Sequence, residues 1–262
     1  MSKPRLLDAV RTLHLSIADR GLPCHIAIYG HSVEAEQFPA LEECLGHLTA
    51  LGYKFCAPCE LFVEDAARKV SLSFDDNYRA WHPMLRIWDK LHIRATFYVN
   101  SLPLRDRATR QQIDDYFDRI QHHGERSPLS VQELREIAAA GHTIGSHAHS
   151  HCRLTGIEYA AAVEDIRKGK HILEDILQGP VSDFSFPFGM RRHFSSRLRS
   201  YCVGLGFRTI ASAIPGMQHG RRRSPYLHRT KWDFDSPLEF NIANLRIDGR
   251  VFAALTGRSP IG

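Results

Sequence analysis

What the 262-residue chain lacks narrows its reading first. No stretch approaches the roughly 20 apolar residues needed to cross a bilayer, so no integral membrane segment is expected. The start, MSKPRLLDAVRTLHLSIADRG, is amphipathic and broken by charges. It has neither the continuous apolar stretch nor the small-residue cleavage site of a secretory signal, so the expected compartment is the cytoplasm. A large excess of one charge is also missing. The net charge of +5 suits an anionic ligand but is too small to argue for a nucleic acid partner. The one dense basic run, Arg221-Arg222-Arg223, reads as a solvated loop, with contact to a phosphate or acidic glycan as the alternative. Cysteine is scarce, and the six present are expected to be free thiols in a cytoplasmic chain. Cys56-Ala-Pro-Cys59 has the spacing of a redox or zinc pair, but no second pair accompanies it and its setting is not thioredoxin-like, so a structural role is expected. There is no internal repeat, low-complexity tract or Gly/Ser linker, and a single domain over residues 1–262 is the economical expectation.

What is present is a rhythm of strand and helix. Residues 5–19 read as an amphipathic opening helix. Short β-rich runs follow at 24–29, 69–74, 95–99, 142–145, 183–186 and 207–211. Helical spacing fills the intervals at 37–51, 80–91, 108–122, 130–140, 158–177 and 194–205. Ser130-Val131-Gln132-Glu133 has the form of a capping box. Alternation of this kind favours parallel strands with helical crossovers, either a barrel or a doubly wound sheet. In both, function collects beyond the C-terminal ends of the strands. His31, Asp75-Asp76, His147 with His151, and Pro187-Phe188-Gly189 all fall there.

Two of these groups carry chemistry. Asp75 and Asp76 follow an apolar strand, where two adjacent carboxylates repel and are costly to bury. Either they are solvated turn residues capping the next helix, or one binds a metal while the other takes a proton from water. His147 and His151, four residues apart, suit Zn²⁺ or a similar ion if one turn brings their imidazoles together. His149 should point elsewhere, and a merely polar His-rich loop is the bland alternative. Together, Asp76, His147 and His151 make a three-ligand set, which leaves room for water and substrate. Asp75 is then the candidate general base, and a general acid is still required.

At this point the sequence resembles the polysaccharide deacetylases, the NodB-homology or carbohydrate esterase family 4 group. The resemblance runs over roughly residues 25–235. It rests on Ser73-Phe74-Asp75-Asp76-Asn77 against T-F-D-D-G, His147-Ala148-His149-Ser150-His151 against H-[S/T]-x-x-H, and the turn Pro187-Phe188-Gly189, in that order. Flanking matches include residues 78–99, Gly141–Gly145, Gly206-Phe207-Arg208 and Pro225–Arg229. The resemblance implies an α/β fold, a deformed (β/α)7-type barrel. It implies Asp75 as base, Asp76, His147 and His151 as metal ligands, and a divalent metal, Zn²⁺ with Co²⁺ or Ni²⁺ as alternatives. The backbone N–H of Phe188 would help bind the oxyanion. The activity implied is removal of an N-acyl group, chiefly acetyl, from an amino sugar or a glycan or glycolipid precursor.

Three departures stand out. Asn77 replaces a glycine, and Asn tolerates left-handed backbone angles. Ala148 replaces a hydroxyl residue. Ser185-Phe186-Pro187-Phe188-Gly189 lacks the arginine that would orient the catalytic Asp, as some members do. For the acid, His228 in Tyr226-Leu227-His228 is one candidate, although that segment matches better a family stretch with no catalytic role. His31 in Tyr29-Gly30-His31-Ser32-Val33 is preferred, because it resembles the acid of the permuted poly-N-acetylglucosamine deacetylases. The bland alternative for His31 is a strand-end histidine satisfied by backbone. A deformylase or non-sugar amidohydrolase, and a catalytically inactive glycan-binding domain, are the rival functions. Tyr78, Trp81, Trp88 and Trp232 are expected in the core, with sugar stacking as the alternative.

Overall fold

The computed structural model describes residues 21–63, 65–216 and 225–259. The expected opening helix and the Arg221–Arg223 run lie outside the described residues. Nine strands form one sheet: β1 (His25–Gly30), β2 (Lys54–Phe55), β3 (Lys69–Asp76), β4 (Thr96–Val99), β5 (Thr143–Ser146), β6 (Asp183–Ser185), β7 (Thr209–Ser212), β8 (Tyr226–His228) and β9 (Thr230–Lys231). Their order is β8-β7-β6-β5-β4-β3-β1-β9, with β2 beside the start of β3, and every pairing is parallel.

The two ends of that order are one stretch of chain. β8 pairs with β7 at Ser212↔His228, and β9 pairs with β1 at Ile28↔Thr230. Only Arg229 lies between them. The interrupted strand therefore bridges the gap between β7 and β1 and brings the sheet round into the deformed (β/α) barrel. β2, β8 and β9 have three residues or fewer, too short for a periodic signal in the sequence.

Side-chain alternation sorts the interior. In β3, Val70, Leu72 and Phe74 pack outward into the large core beneath the helices. Ser73 and Asp75, on the opposite face, meet Arg229 in the lumen. A second, small cluster of Ala27, Leu61, Tyr98, Ala211 and Leu227 fills the barrel, with Cys56 against it. Burial, reinforced by Glu60, pushes the Cys56 thiol up to about 12, and burial also raises Cys59. A reactive thiol needs the opposite shift.

Helices end where the sequence provides caps. Thr109, Ser130 and Ser195 accept N–H bonds at the starts of Arg110–Arg119, Val131–Ala139 and Ser196–Gly204. The expected helix at 80–91 is instead a 3-10 segment, Arg79–Met84, followed by an α-helix, Leu85–Leu91. Pro83 lacks the N–H and crowds the preceding turn, so the α-helix starts after it. Two C-terminal helices, Leu238–Asn244 and Arg250–Thr256, were not foreseen. No described helix is long and apolar enough to cross a membrane.

Candidate functional site

Asp75 and Asp76 close β3, and alternation sends their carboxylates in different directions. Asp75 points into the lumen. Arg229 grips it with Nη1 2.7 Å from Oδ1 and Nη2 2.7 Å from Oδ2. The remaining guanidinium donors go to Ser73 Oγ at 3.0 Å, Ser185 Oγ at 2.8 Å and the Ser212 carbonyl at 3.0 Å. All five N–H groups are thus used, and Ser185 Oγ donates to Asp75 Oδ2 at 3.0 Å. Tyr29 and Tyr98 flank the guanidinium, their ring centres 4.6 and 5.1 Å from Cζ. Arg229 is wholly buried. Burial alone would raise the Asp75 carboxyl, but the Arg229 charge outweighs it, and His147 adds to the effect. Asp75 is held below the usual carboxylate range.

The expectation that the orienting arginine is missing is corrected here. It is absent from the Ser185–Gly189 segment, but Arg229, from the interrupted strand, reaches the same carboxylate. The stretch thought to carry no catalytic role holds it. The available signal was a charged residue inside an extended run, next to the histidine that drew attention instead.

Asp76 turns the other way. It takes φ +87°, and its Oδ1 lies 3.5 Å from His147 Nε2 and 3.2 Å from His151 Nε2. Tyr78 donates its hydroxyl to Oδ2 at 2.9 Å. One ligand atom from each of Asp76, His147 and His151 lies within 4.8 Å of the others, and all three residues are buried. His147 Nδ1 sits 2.7 Å from the Ser185 carbonyl, which can only accept, so this nitrogen carries a proton. In a neutral His147 the Nε2 lone pair then faces Asp76 Oδ1. Two acceptors in contact require either a ring proton or a cation between them. His151 Nδ1 is buried and meets no partner among the described residues. One carboxylate and two imidazoles, with a carbonyl fixing one tautomer, fit a divalent metal of the zinc type.

The backbone around the pair is built to hold it. Ala148 and His151 take φ +63° and +56°, so a tight loop, not a helix, brings the imidazoles together. Asn100 donates from its backbone to Asp76 O at 3.0 Å and from its side chain to His147 O, and it accepts from Tyr116 Oη at 2.9 Å. Asn77 does not adopt the left-handed angle anticipated for it; Asp76 does. Asn77 is fully buried and works through its side chain, donating to Asn100 O at 3.0 Å and accepting from Leu129 N at 2.9 Å. Ala148 is also fully buried, with its backbone against Gly169 of helix Tyr159–Leu177. A Cβ on Gly169 would come within 2.5 Å of the Ala148 carbonyl carbon, so this glycine lets the helix support the loop. His149 points away, with Nδ1 2.8 Å from Ser101 Oγ, and burial takes its imidazole down to about 4.

A cavity of about 600 Å³ opens over both carboxylates. His31 lies in its wall with Asp75, Asp76, His147, His151 and Phe188. Burial keeps the His31 imidazole below its ordinary value, against the pull of Asp76 and Asp75. Its backbone carbonyl accepts from Trp81 Nε1 at 2.9 Å, which fixes the strand end rather than the ring. His228 lines a different cavity, with Phe186, Phe194 and Tyr226, and its Nδ1 is 3.2 Å from Ser212 Oγ. The structure thus brings His31, not His228, to the Asp-His-His group. Phe188 has φ +65°, and its N–H meets no acceptor among the described residues. Its ring, 37% exposed, packs 4.8 Å from His151. Trp81, Trp88 and Trp232 are core residues, and Tyr78 is buried with only its hydroxyl engaged at the site.

Comparison with known proteins follows the same geometry. The model of the polysaccharide deacetylase family matches residues 63–210, more than half of the chain. No curated protein matches. Among solved structures, the fold is similar to the deacetylase PplD of Streptococcus pyogenes in complex with acetate (TM-score 0.65, 15% identity, covering 86% of this chain and 97% of that one). It is also similar to IcaB from Ammonifex degensii (0.66, 16%, 87% and 98%) and to the BpsB deacetylase domain of Bordetella bronchiseptica (0.61, 13%, 81% and 97%). The family match contains Asp75, Asp76, His147, His151 and Phe188. His31 and Arg229 lie outside it, one on each side.

Proposed function

This chain belongs to the polysaccharide deacetylase family, and we propose that it is a zinc-dependent hydrolase that removes an N-acyl group, chiefly acetyl, from an amino sugar. The observation that carries the reading is the split between the two aspartates. One carboxylate is fully engaged by a buried arginine, and the other stands with two imidazoles at the floor of the same cavity.

Asp76, His147 and His151 would hold the metal, which when bound lowers the pKa of water and polarises a carbonyl. Asp75, kept ionised by Arg229, takes the proton from the attacking water. The Phe188 N–H, which meets no acceptor among the described residues, donates to the oxygen of the tetrahedral carbon. His31 delivers a proton to the nitrogen as the C–N bond breaks, so the amine leaves neutral and the acyl group leaves as a carboxylic acid. The exposed ring of Phe188 is the aromatic surface offered to a sugar in this cavity. An acid supplied from before the Asp pair supports a place near the poly-N-acetylglucosamine branch. Acetate release from N-acetylated amino sugars tests the reading: it should be abolished by chelation and restored by Zn²⁺. Zinc-loaded protein that releases no acyl group from any acetylated or formylated amino sugar would refute it.

A further inference from the structure

The mouth of the catalytic cavity carries a collar of cations. Arg119 at the end of helix Arg110–Arg119, Arg153 in the loop after β5, Arg192 after β6 and Lys231 in β9 all line it, and all are exposed. They come from four separate segments, so the barrel gathers them and no basic run in the sequence announces them. The only carboxylates among the described lining residues are Asp75 and Asp76, and both are engaged at the floor. Among the described residues no carboxylate pairs with any of the four. What the three arginines touch is neutral: Arg119 donates to the Ser150 carbonyl, Arg192 Nε approaches His193 Nε2 at 3.0 Å, and Arg153 lies 5.6 Å from the centre of the Phe188 ring. Among the described residues, most N–H groups of each guanidinium have no acceptor.

Like charges around one opening repel, and no carboxylate among the described residues is in direct contact with these four. A neutral sugar chain would gain little from such a collar. An anion would be steered toward it, and the planar fork of arginine matches phosphate oxygens two at a time. The volume, about 600 Å³, lies in the range of small-ligand pockets. We propose that the substrate is an N-acyl amino sugar esterified to phosphate or diphosphate, with the anion on this collar and the acyl group over the Asp-His-His floor. The proposal rests on the amide-hydrolase reading above for the acyl half only.

Calorimetric titration of the metal-free protein, in which no turnover occurs, with N-acetylglucosamine 1-phosphate and with N-acetylglucosamine reads the collar. The phosphorylated sugar should bind at least about tenfold more tightly, and the margin should shrink as salt rises. The exposed pair Arg153→Gln with Arg192→Gln, its folding checked by thermal unfolding, should bring the two affinities within about threefold. Equal affinities in the unaltered protein would overturn the proposal. So would a preference that survives in the double variant, because the phosphate would then be held elsewhere. Acetate release separates the two claims. If the preference holds but no acetate appears, the collar stands and the hydrolase reading falls. If neutral chitotetraose is deacetylated as fast as the phosphorylated sugars, the hydrolase reading stands and the collar falls. Free, uridine-diphosphate-linked and prenyl-diphosphate-linked sugars as separate arms identify where the phosphate comes from.

Discussion

Asp75 and Asp76 are adjacent in the chain and equally buried, yet the fold completes them in opposite ways. Asp75 meets donors on both oxygens, supplied by Arg229 and Ser185. Asp76 meets one phenol and two imidazole nitrogens, one of them opposed to it as an acceptor unless protonated. A carboxylate closed by the chain's own cation is held ionised and fixed in place. A carboxylate left facing other ligand atoms can take a cation from outside. Strand alternation produces this difference, because one residue's step along β3 changes the face of the sheet.

The largest effect is expected from breaking the closed half. Arg229→Met leaves a buried carboxylate unpaired, which should destabilise the fold by about 3–5 kcal/mol in denaturant unfolding. Adding Asp75→Asn should restore much of that stability and none of the turnover. A single variant of ordinary stability would show that Arg229 does not hold the Asp75 charge.

His31→Gln should lower turnover by about 10²–10⁴-fold while leaving zinc affinity unchanged, whereas His228→Gln should cost less than about tenfold. Steady-state rates with paired metal titrations check both, and the reverse ranking would move the acid to the second cavity.

Gly169→Ala probes the support of the open half. In an exposed helix interior this change stabilises by roughly 0.5–1 kcal/mol. Here the new Cβ would press on the Ala148 backbone, so stability and zinc affinity should both fall, by about 1–3 kcal/mol in unfolding.

The smallest effect lies away from the site. Burial opposes ionisation of Glu133, but the Ser130 N–H, Arg79, the Ser130 hydroxyl and Arg105 overcome it and hold the carboxyl at about 2. A depressed carboxyl stabilises above its unfolded pKa and loses that contribution as pH falls. Glu133→Gln should therefore cost about 1 kcal/mol at pH 7, and the gap to the unaltered protein should close between about pH 4.5 and 2.

The sequence made the open half readable and hid the closed one. Asp76, His147 and His151 belong to two compact motifs, and the family resemblance ordered them. Most helices and the longer strands also showed their period. Arg229 is separated from Asp75 by 154 positions, and it meets that residue only because the strand interrupted at Arg229 bridges β7 and β1. β8 and β9, split around Arg229, leave only three and two residues and show no period to read. The cationic collar was invisible for the same reason: its four members share no segment, only the rim of a barrel. Asn77 shows a subtler limit. Its residue type suggested a backbone role, but full burial gave its side chain the work and passed the left-handed angle to Asp76.

The most direct test of the division between the two aspartates is zinc titration of Asp75→Asn and Asp76→Asn, with turnover measured on the same samples. The account predicts that Asp75→Asn binds one zinc near the unaltered affinity with turnover reduced at least about 100-fold, and that Asp76→Asn loses the metal. Zinc lost from Asp75→Asn and kept by Asp76→Asn, or full turnover in Asp75→Asn, would contradict it.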